Sequence, residues 1–253
     1  MNSVTLPRLP EAVQPEHVSL DMHLECPAEP DENAYAIPLW ADVIVQVWPD
    51  HDADKLSSEE PIKVNVGMVH ATLFKVGQAE EINGRDGLYV LEEESEESAE
   101  YMQLFNAEGV RADVYEMCEL STFAPDVLLV NMIQIEPEFR CRDLGLHAMR
   151  ALVSVFANGS TLIACTPFPP NQHQKSESVG HGSVLEPLYD RTKDPRTDAE
   201  IAAGQRKLRA HWSRFGLRRF RRTDIYIMGG AQVGRVTARA KLVRKKVVEA
   251  PDP

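Results

Sequence analysis

IQIEPEFRCRDLGLHAMRAL, residues 133–152, passes from a two-residue rhythm to a helical one across a proline, two arginines and a glycine. Ile133 and Ile135 alternate with Gln134 and Glu136, the pattern of a half-buried strand. Pro137 ends that strand because it has no N–H to give to a ladder. From Leu144, the residues Leu144, Ala148, Ala151, Leu152 and Val155 recur near helical spacing, so a helix is expected over 144–157. The first backbone N–H groups of a helix have no internal partner and carry positive partial charge, so they attract anions. Arg140 and Arg142 add charge at that point. A strand running into a helix whose first turn holds phosphate is the reading these residues support.

Working outward, residues 17–26, 39–48 and 62–76 read as strands, with a charged loop at 49–61 and a turn at 82–87 before the short strand LYVL. The run EEESEESAE at 92–100, followed by Tyr101, Leu104 and Phe105, reads as an acidic helix start. Residues 127–135 form a central strand and 161–165 another; 198–215 form a helix and 224–229 a last strand. Residues 167–196, rich in proline, glycine, serine and histidine, are a loop insertion. The expected architecture is an α/β (α+β) mixed sheet, mostly antiparallel, flanked by helices, with one parallel strand pair across the 144–157 helix. Residues 1–16 form a loose N-terminal segment, 17–230 one domain, and 231–253 a basic tail.

The segment resembles motif A of the GNAT superfamily of acyl-coenzyme A-dependent N-acetyltransferases, V-x-P-[DE]-[YF]-R-G-[KR]-G-[LI]-G. Ile135, Pro137, Glu138, Phe139, Arg140, Arg142, Leu144 and Gly145 fall on matching positions, while Cys141 and Asp143 stand where the family has glycine. A frame starting at Arg142 keeps Gly145 but sets His147 at a glycine or alanine position, and fits neither the proline nor the aromatic. Residues 208–220, LRAHWSRFGLRRF, resemble the family's last helix and following strand, Y-x-x-x-G-F, with Trp212 in place of the tyrosine and Gly216 and Leu217 in place of G-F. The resemblance covers residues 127–166 and 205–229.

It implies that the parallel strand pair splays apart and that pantetheine lies in the opening against Ile133, Gln134 and Ile135. Arg140, Cys141, Arg142, Asp143, Leu144, Gly145 and Leu146 would surround the pyrophosphate, with Trp212 alongside. Acetyl-coenzyme A would be the co-substrate and an amine the acceptor, attacking the thioester directly. The family's usual proton donor is the tyrosine that Trp212 replaces, and an indole cannot supply that proton. His211 is adjacent and titrates near neutrality, although successive helical residues diverge by about 100°, which argues against a shared position. Glu136 and Glu138 are base candidates by proximity to Pro137 alone. The alternative reading is a GNAT-fold module without turnover, binding a protein or nucleic acid through its basic C-terminal region.

Charge divides the chain. Residues 1–138 hold 29 acidic and 6 basic side chains; residues 139–253 hold 10 and 21. The basic half suits a polyphosphate ligand and the acidic half a cationic acceptor; attraction between the halves within one fold explains the division equally well. Arg206, Arg209, Arg214, Arg218, Arg219, Arg221 and Arg222 form a basic stretch, but aromatic residues for stacking bases are sparse there, which argues against nucleic acid. Cys26, Cys118, Cys141 and Cys165 are scattered without a C-x-x-C pair, as expected for reduced cytoplasmic thiols. His173 and His181, with Asn171 and Glu177, lack the tight spacing of metal ligands, so no metal is expected. No apolar run approaches the roughly 20 residues of a membrane helix.

Overall fold

The computed structural model describes residues 17–24, 35–47, 60–83, 99–121, 124–158, 160–167 and 197–233. Three strands open the fold: β1 (Val18–Leu24), β2 (Ala36–Val47) and β3 (Ile62–Phe74). A helix follows, α1 (Val76–Asn83), then the two-stranded β4 (Phe105–Asn106) and β5 (Gly109–Val110), and α2 (Ala112–Cys118). The remaining elements are β6 (Val127–Ile135), α3 (Leu144–Phe156), β7 (Leu162–Cys165), α4 (Asp198–Phe215), β8 (Arg218–Arg219) and β9 (Tyr226–Gly229).

Seven strands make one sheet in the order β1-β2-β3-β6-β7-β9-β8. Every neighbouring pair is antiparallel except β6 and β7, which run parallel on either side of α3. This is the mixed, mostly antiparallel α/β sheet that the order of apolar runs implied. A parallel pair needs a crossover, and the helix supplies it.

Two apolar layers sandwich the sheet. On one face, Leu144, Ala148, Met149, Leu152 and Val153 of α3 and Trp212 and Phe215 of α4 pack on Val69, Ala71, Leu128, Val130 and Ile163. On the other, Val76 and Ala79 of α1 and Val114 and Cys118 of α2 join Phe74, Tyr101, Leu129 and Ala164. Truncating a buried leucine such as Leu152 to alanine would cost about 2–5 kcal/mol.

Two expectations are corrected. The third strand ends at Phe74, and Val76 already belongs to α1. There the Lys75 N–H donates to the Tyr35 carbonyl, the Lys75 ammonium pairs with Asp126 at 2.6 Å, and Ala79 N–H turns back to the Lys75 carbonyl. The β-branched Val76 hid a run of glutamine, alanine and glutamate that favours helix. Of the acidic run, Ala99 and Glu100 are helical and residues 92–98 lie outside the described residues; after them residues 101–104 form a single 3-10 turn, and Phe105 is already extended. Tyr101 and Leu104, three apart, share one face in a 3-10 turn as well as in an α-helix. The expectations for 1–16, for LYVL, for the 167–196 insertion beyond Pro167 and for the tail beyond Val233 lie outside the described residues.

Candidate functional site

β6 is longer than its parallel partner. Val127, Leu128, Leu129 and Val130 pair with Leu162, Ile163, Ala164 and Cys165, and the pairing stops there. From Asn131 to Ile135 the edge of β6 that faced β7 meets no strand among the described residues. The other edge stays paired: β3 follows it to Ile135, with a register shift in which His70 pairs with Met132 and Ala71 with Val130. Asn131 is thus the extra residue of a β-bulge. The bulge changes which side chains face α3: Leu128 and Val130 do before it, Ile133 and Ile135 after it.

β3 and β6 are also unusually close beyond the bulge. A Cβ on Gly67 would stand 2.1 Å from the Gln134 carbonyl oxygen, so only glycine fits opposite this segment. Gln134 is 8% exposed and faces away from α3.

β6 runs into the loop before α3. Arg140 turns back on the strand and donates from Nε to the Ile135 carbonyl at 2.8 Å, which spends part of the guanidinium expected to face phosphate. Cys141 has φ 66° and Asp143 φ 56°, the left-handed conformation that glycine adopts most cheaply. Both occupy glycine positions of the motif. Left-handed backbone at these two non-glycine residues costs about 1–2 kcal/mol each.

The amides of residues 141–145 donate to no acceptor among the described residues; the next two, Leu146 and His147, close on the Asp143 carbonyl. Successive unpaired amides beside left-handed residues are the arrangement from which anion-binding concavities are built, and the start of α3 adds its dipole. Asp143 sits at the N-cap position without capping the helix, which leaves these donors open.

The Asp143 carboxylate is instead clasped by Arg214 of α4, at 3.1 Å (Nη1–Oδ1) and 2.8 Å (Nη2–Oδ2). These hydrogen bonds hold the Asp143 carboxyl below its ordinary value against the opposing effect of partial burial. The charge expected to repel a pyrophosphate is thus matched by a guanidinium. Leu144 and Leu146 place their side chains in the core, so Leu144 offers the site only its backbone and Leu146 nothing polar. Arg142 is half-buried and Cys141 exposed.

Gly145 brings the two sequence matches together. A Cβ there would lie 3.5 Å from His211 Nε2 and 4.0 Å from both Trp212 Cη2 and Ile133 Cγ2. His211 and Trp212 therefore do reach one spot despite their angular separation, stacked edge to face at 4.9 Å. A ring nitrogen and the far edge of an indole are both long enough to converge. Burial holds the His211 imidazole below its ordinary value, partly countered by the Asp143 carboxylate. Both ends of α4 are fixed, which holds these rings in place: Thr197 and Glu200 form a reciprocal capping box, and Gly216 closes the helix at φ 107°.

On the opposite face of the sheet, beside the bulge, the Asn131 amide nitrogen lies 3.2 Å from Thr72 Oγ1 and 3.5 Å from His70 Nδ1. His70 stacks on Trp40 at 3.8 Å with an interplanar angle of 14°. Burial pushes its imidazole down to about 4, so it is neutral near pH 7. Nothing in the sequence singled out Asn131, Thr72 or His70, because bulges carry no residue signature of their own.

The basic stretch is largely engaged. Arg209 and Arg219 bind Asp224, Arg221 binds Asp113, and Arg214 binds Asp143. Among the described residues, no group of histidine, cysteine and carboxylate side chains is arranged to hold a metal, and no helix is long and apolar enough to cross a membrane. Glu136 continues the ladder by donating its N–H to the Val66 carbonyl. No family model, curated protein or solved structure matches the chain.

Proposed function

We propose that the chain is an acyl-coenzyme A-dependent N-acyltransferase, with acetyl-coenzyme A as the donor and an amine as the acceptor. One observation carries this reading. Among the described residues, a loop whose five amides donate to no acceptor and which holds two left-handed residues stands at the mouth of a fork in which the β6 backbone is paired to no strand on one edge. Amide concavities select phosphate. An open strand edge selects an extended chain with its own amide groups, which pairs with it like a further strand. A ligand that joins a pyrophosphate to an amide-containing arm matches both at once.

In this reading Arg142 and the amides of 141–145 hold the pyrophosphate. The edge of Asn131–Ile135, which meets no strand among the described residues and of which Arg140 holds the Ile135 carbonyl, orients the arm, and Ile133, Trp212 and His211 wall it on the α3 face. The reaction itself asks for placement and proton transfer: the nitrogen attacks the carbonyl carbon, the carbon–sulfur bond breaks, and the thiolate needs a proton. Trp212 has none to give, which favours a second reading in which the fold binds the ligand without turnover.

Calorimetric titration with acetyl-coenzyme A, coenzyme A and desulfo-coenzyme A tests the site, and thiol release over a panel of primary amines separates the two readings. Micromolar binding is expected. Gly145→Trp, which drives an indole against His211, Trp212 and Ile133, should abolish it while the circular dichroism spectrum is kept. Unchanged affinity in that variant would remove the site.

A further inference from the structure

We infer that the arginine surface around the β8–β9 hairpin is a docking site for an acidic protein segment, whose clustered carboxylates it binds through guanidinium groups. The inference stands apart from the acyltransferase reading and does not depend on it.

Three distant parts of the chain build this surface. Asp224 Oδ1, in the hairpin, accepts from Arg209 Nη2 of α4 at 2.7 Å and from Arg219 Nη2 of β8 at 3.1 Å. Arg221, in the same hairpin, reaches α2: its Nε donates to Asp113 Oδ2 at 2.5 Å, while Arg111 Nε donates to Asp113 Oδ1 at 3.2 Å. Each carboxylate is thus shared by two guanidinium groups, which leaves one positive charge over in each set.

Further charge lies alongside without any carboxylate. Arg218 and Arg222 of the hairpin are exposed, and their side chains form no hydrogen bond or ion pair among the described residues. The same holds for Arg206, which lies one turn before Arg209 on the same face of α4. Glu116, one turn after Asp113, is the next carboxylate along α2. A chain with 39 acidic and 27 basic residues has more than enough carboxylates to neutralise its arginines. Seven guanidinium groups gathered against so few leave a patch of like charge, which opposes folding by self-repulsion and is relieved when anions bind.

The backbone that carries the patch is fixed. Phe220 and Ile225 are buried, and the Phe220 N–H donates to the Ile225 carbonyl at 2.8 Å. Thr223 Oγ1 donates to the Phe220 carbonyl at 2.6 Å, and Arg219 Nε donates to the Thr223 carbonyl at 2.5 Å. Between them Arg221 is held at φ 50°, a left-handed conformation that is costly away from glycine. A partner therefore orders little beyond the side chains it touches.

Two observations select a carboxylate-rich protein segment over nucleic acid. Guanidinium forks match carboxylate oxygens, and Asp113 and Asp224 are already bound in that way. A nucleic acid would run past the patch over a molecule of net charge −12. Its bases would also find no exposed aromatic ring on the described hairpin, because Phe220 is buried with the Arg221 guanidinium 5.2 Å above its ring centre.

Fluorescence anisotropy of a labelled octaglutamate peptide, titrated with the full chain at low salt, tests the site. Saturable binding that weakens as salt rises is expected. Arg218→Glu and Arg222→Glu should each weaken it by about tenfold, with the circular dichroism spectrum kept. Lys63→Glu makes the same change in net charge at an exposed position of β3 and should leave affinity unchanged. Should the hairpin variants fail to fold, Arg206→Glu on α4 takes their place, with the same expected loss. No binding by the wild type, or an equal loss in Lys63→Glu, would overturn the docking site. A DNA duplex that binds more tightly than the peptide would overturn the choice of partner.

Discussion

Asp143 combines two unfavourable properties, a left-handed backbone and a negative charge beside amides that find no acceptor among the described residues, and Arg214 offsets only the second. Both side chains are about half exposed, so the pair contributes little to stability, on the order of 0–1 kcal/mol. Its effect is on the ligand. At about 5 Å and an effective dielectric near 40–80, one charge is worth about 1–2 kcal/mol. Asp143→Gly should therefore tighten acetyl-coenzyme A binding by about 5–30-fold, through relief of charge. Arg214→Ala should loosen it by a similar factor, since it leaves the carboxylate uncompensated. The double variant should bind like Asp143→Gly. Calorimetry on the three proteins checks all of this, and a neutral Asp143→Gly would mean that the carboxylate never senses the ligand.

At the scale of elements, β3 and β6 are locked together where the fork opens. In Gly67→Ala the new Cβ would meet backbone, which cannot rotate away, so the strands must part. A loss of about 3 kcal/mol or more is expected in urea unfolding, with weaker ligand binding from a displaced β6 edge. The same strands show how far the sequence was legible. β6, α3, β7 and α4 were readable to within a residue or two, because each has one dominant rhythm and clear ends such as Pro137 and Gly216. The loop was readable as a break between strand and helix at Pro137 and Gly145. Its left-handed backbone at Cys141 and Asp143 was not, because backbone conformation is set by the surrounding packing as well as by residue type. Asn131 and the Arg214 clasp were not readable: each matters through a partner far away in the chain, and pattern within a window carries no such information.

For the whole molecule, the division into acidic and basic halves is only slightly spent on internal pairing: among the described residues Arg221 with Asp113 joins the two halves, whereas Lys75 with Asp126 lies within the acidic half and Arg214 with Asp143 within the basic one. Stability against pH should instead carry the mark of His70. Its folded value, about 4, lies below the ordinary 6.5, so between these values the unfolded chain binds more protons and stability rises with pH. The contribution is complete above pH 6.5 and lost as pH falls towards 4, with an amplitude of about 1–3 kcal/mol. His211, also lowered, adds with the same sign. In His70→Gln, urea midpoints measured from pH 4 to 7 should show a shallower slope than in the wild type; an identical slope would assign the dependence elsewhere. Asn131 has a different kind of consequence for the chain. Loss of its codon would leave Val130, Met132 and Ile133 in plain alternation, so Ile133 and Ile135 would still face α3 and the ladder with β3 would close up without the bulge. Loss of the Ile133 codon would instead turn Gln134 towards α3 and Ile135 away from it. A deletion scan would therefore separate the bulge, where a missing residue is absorbed, from the strand after it, where it is not.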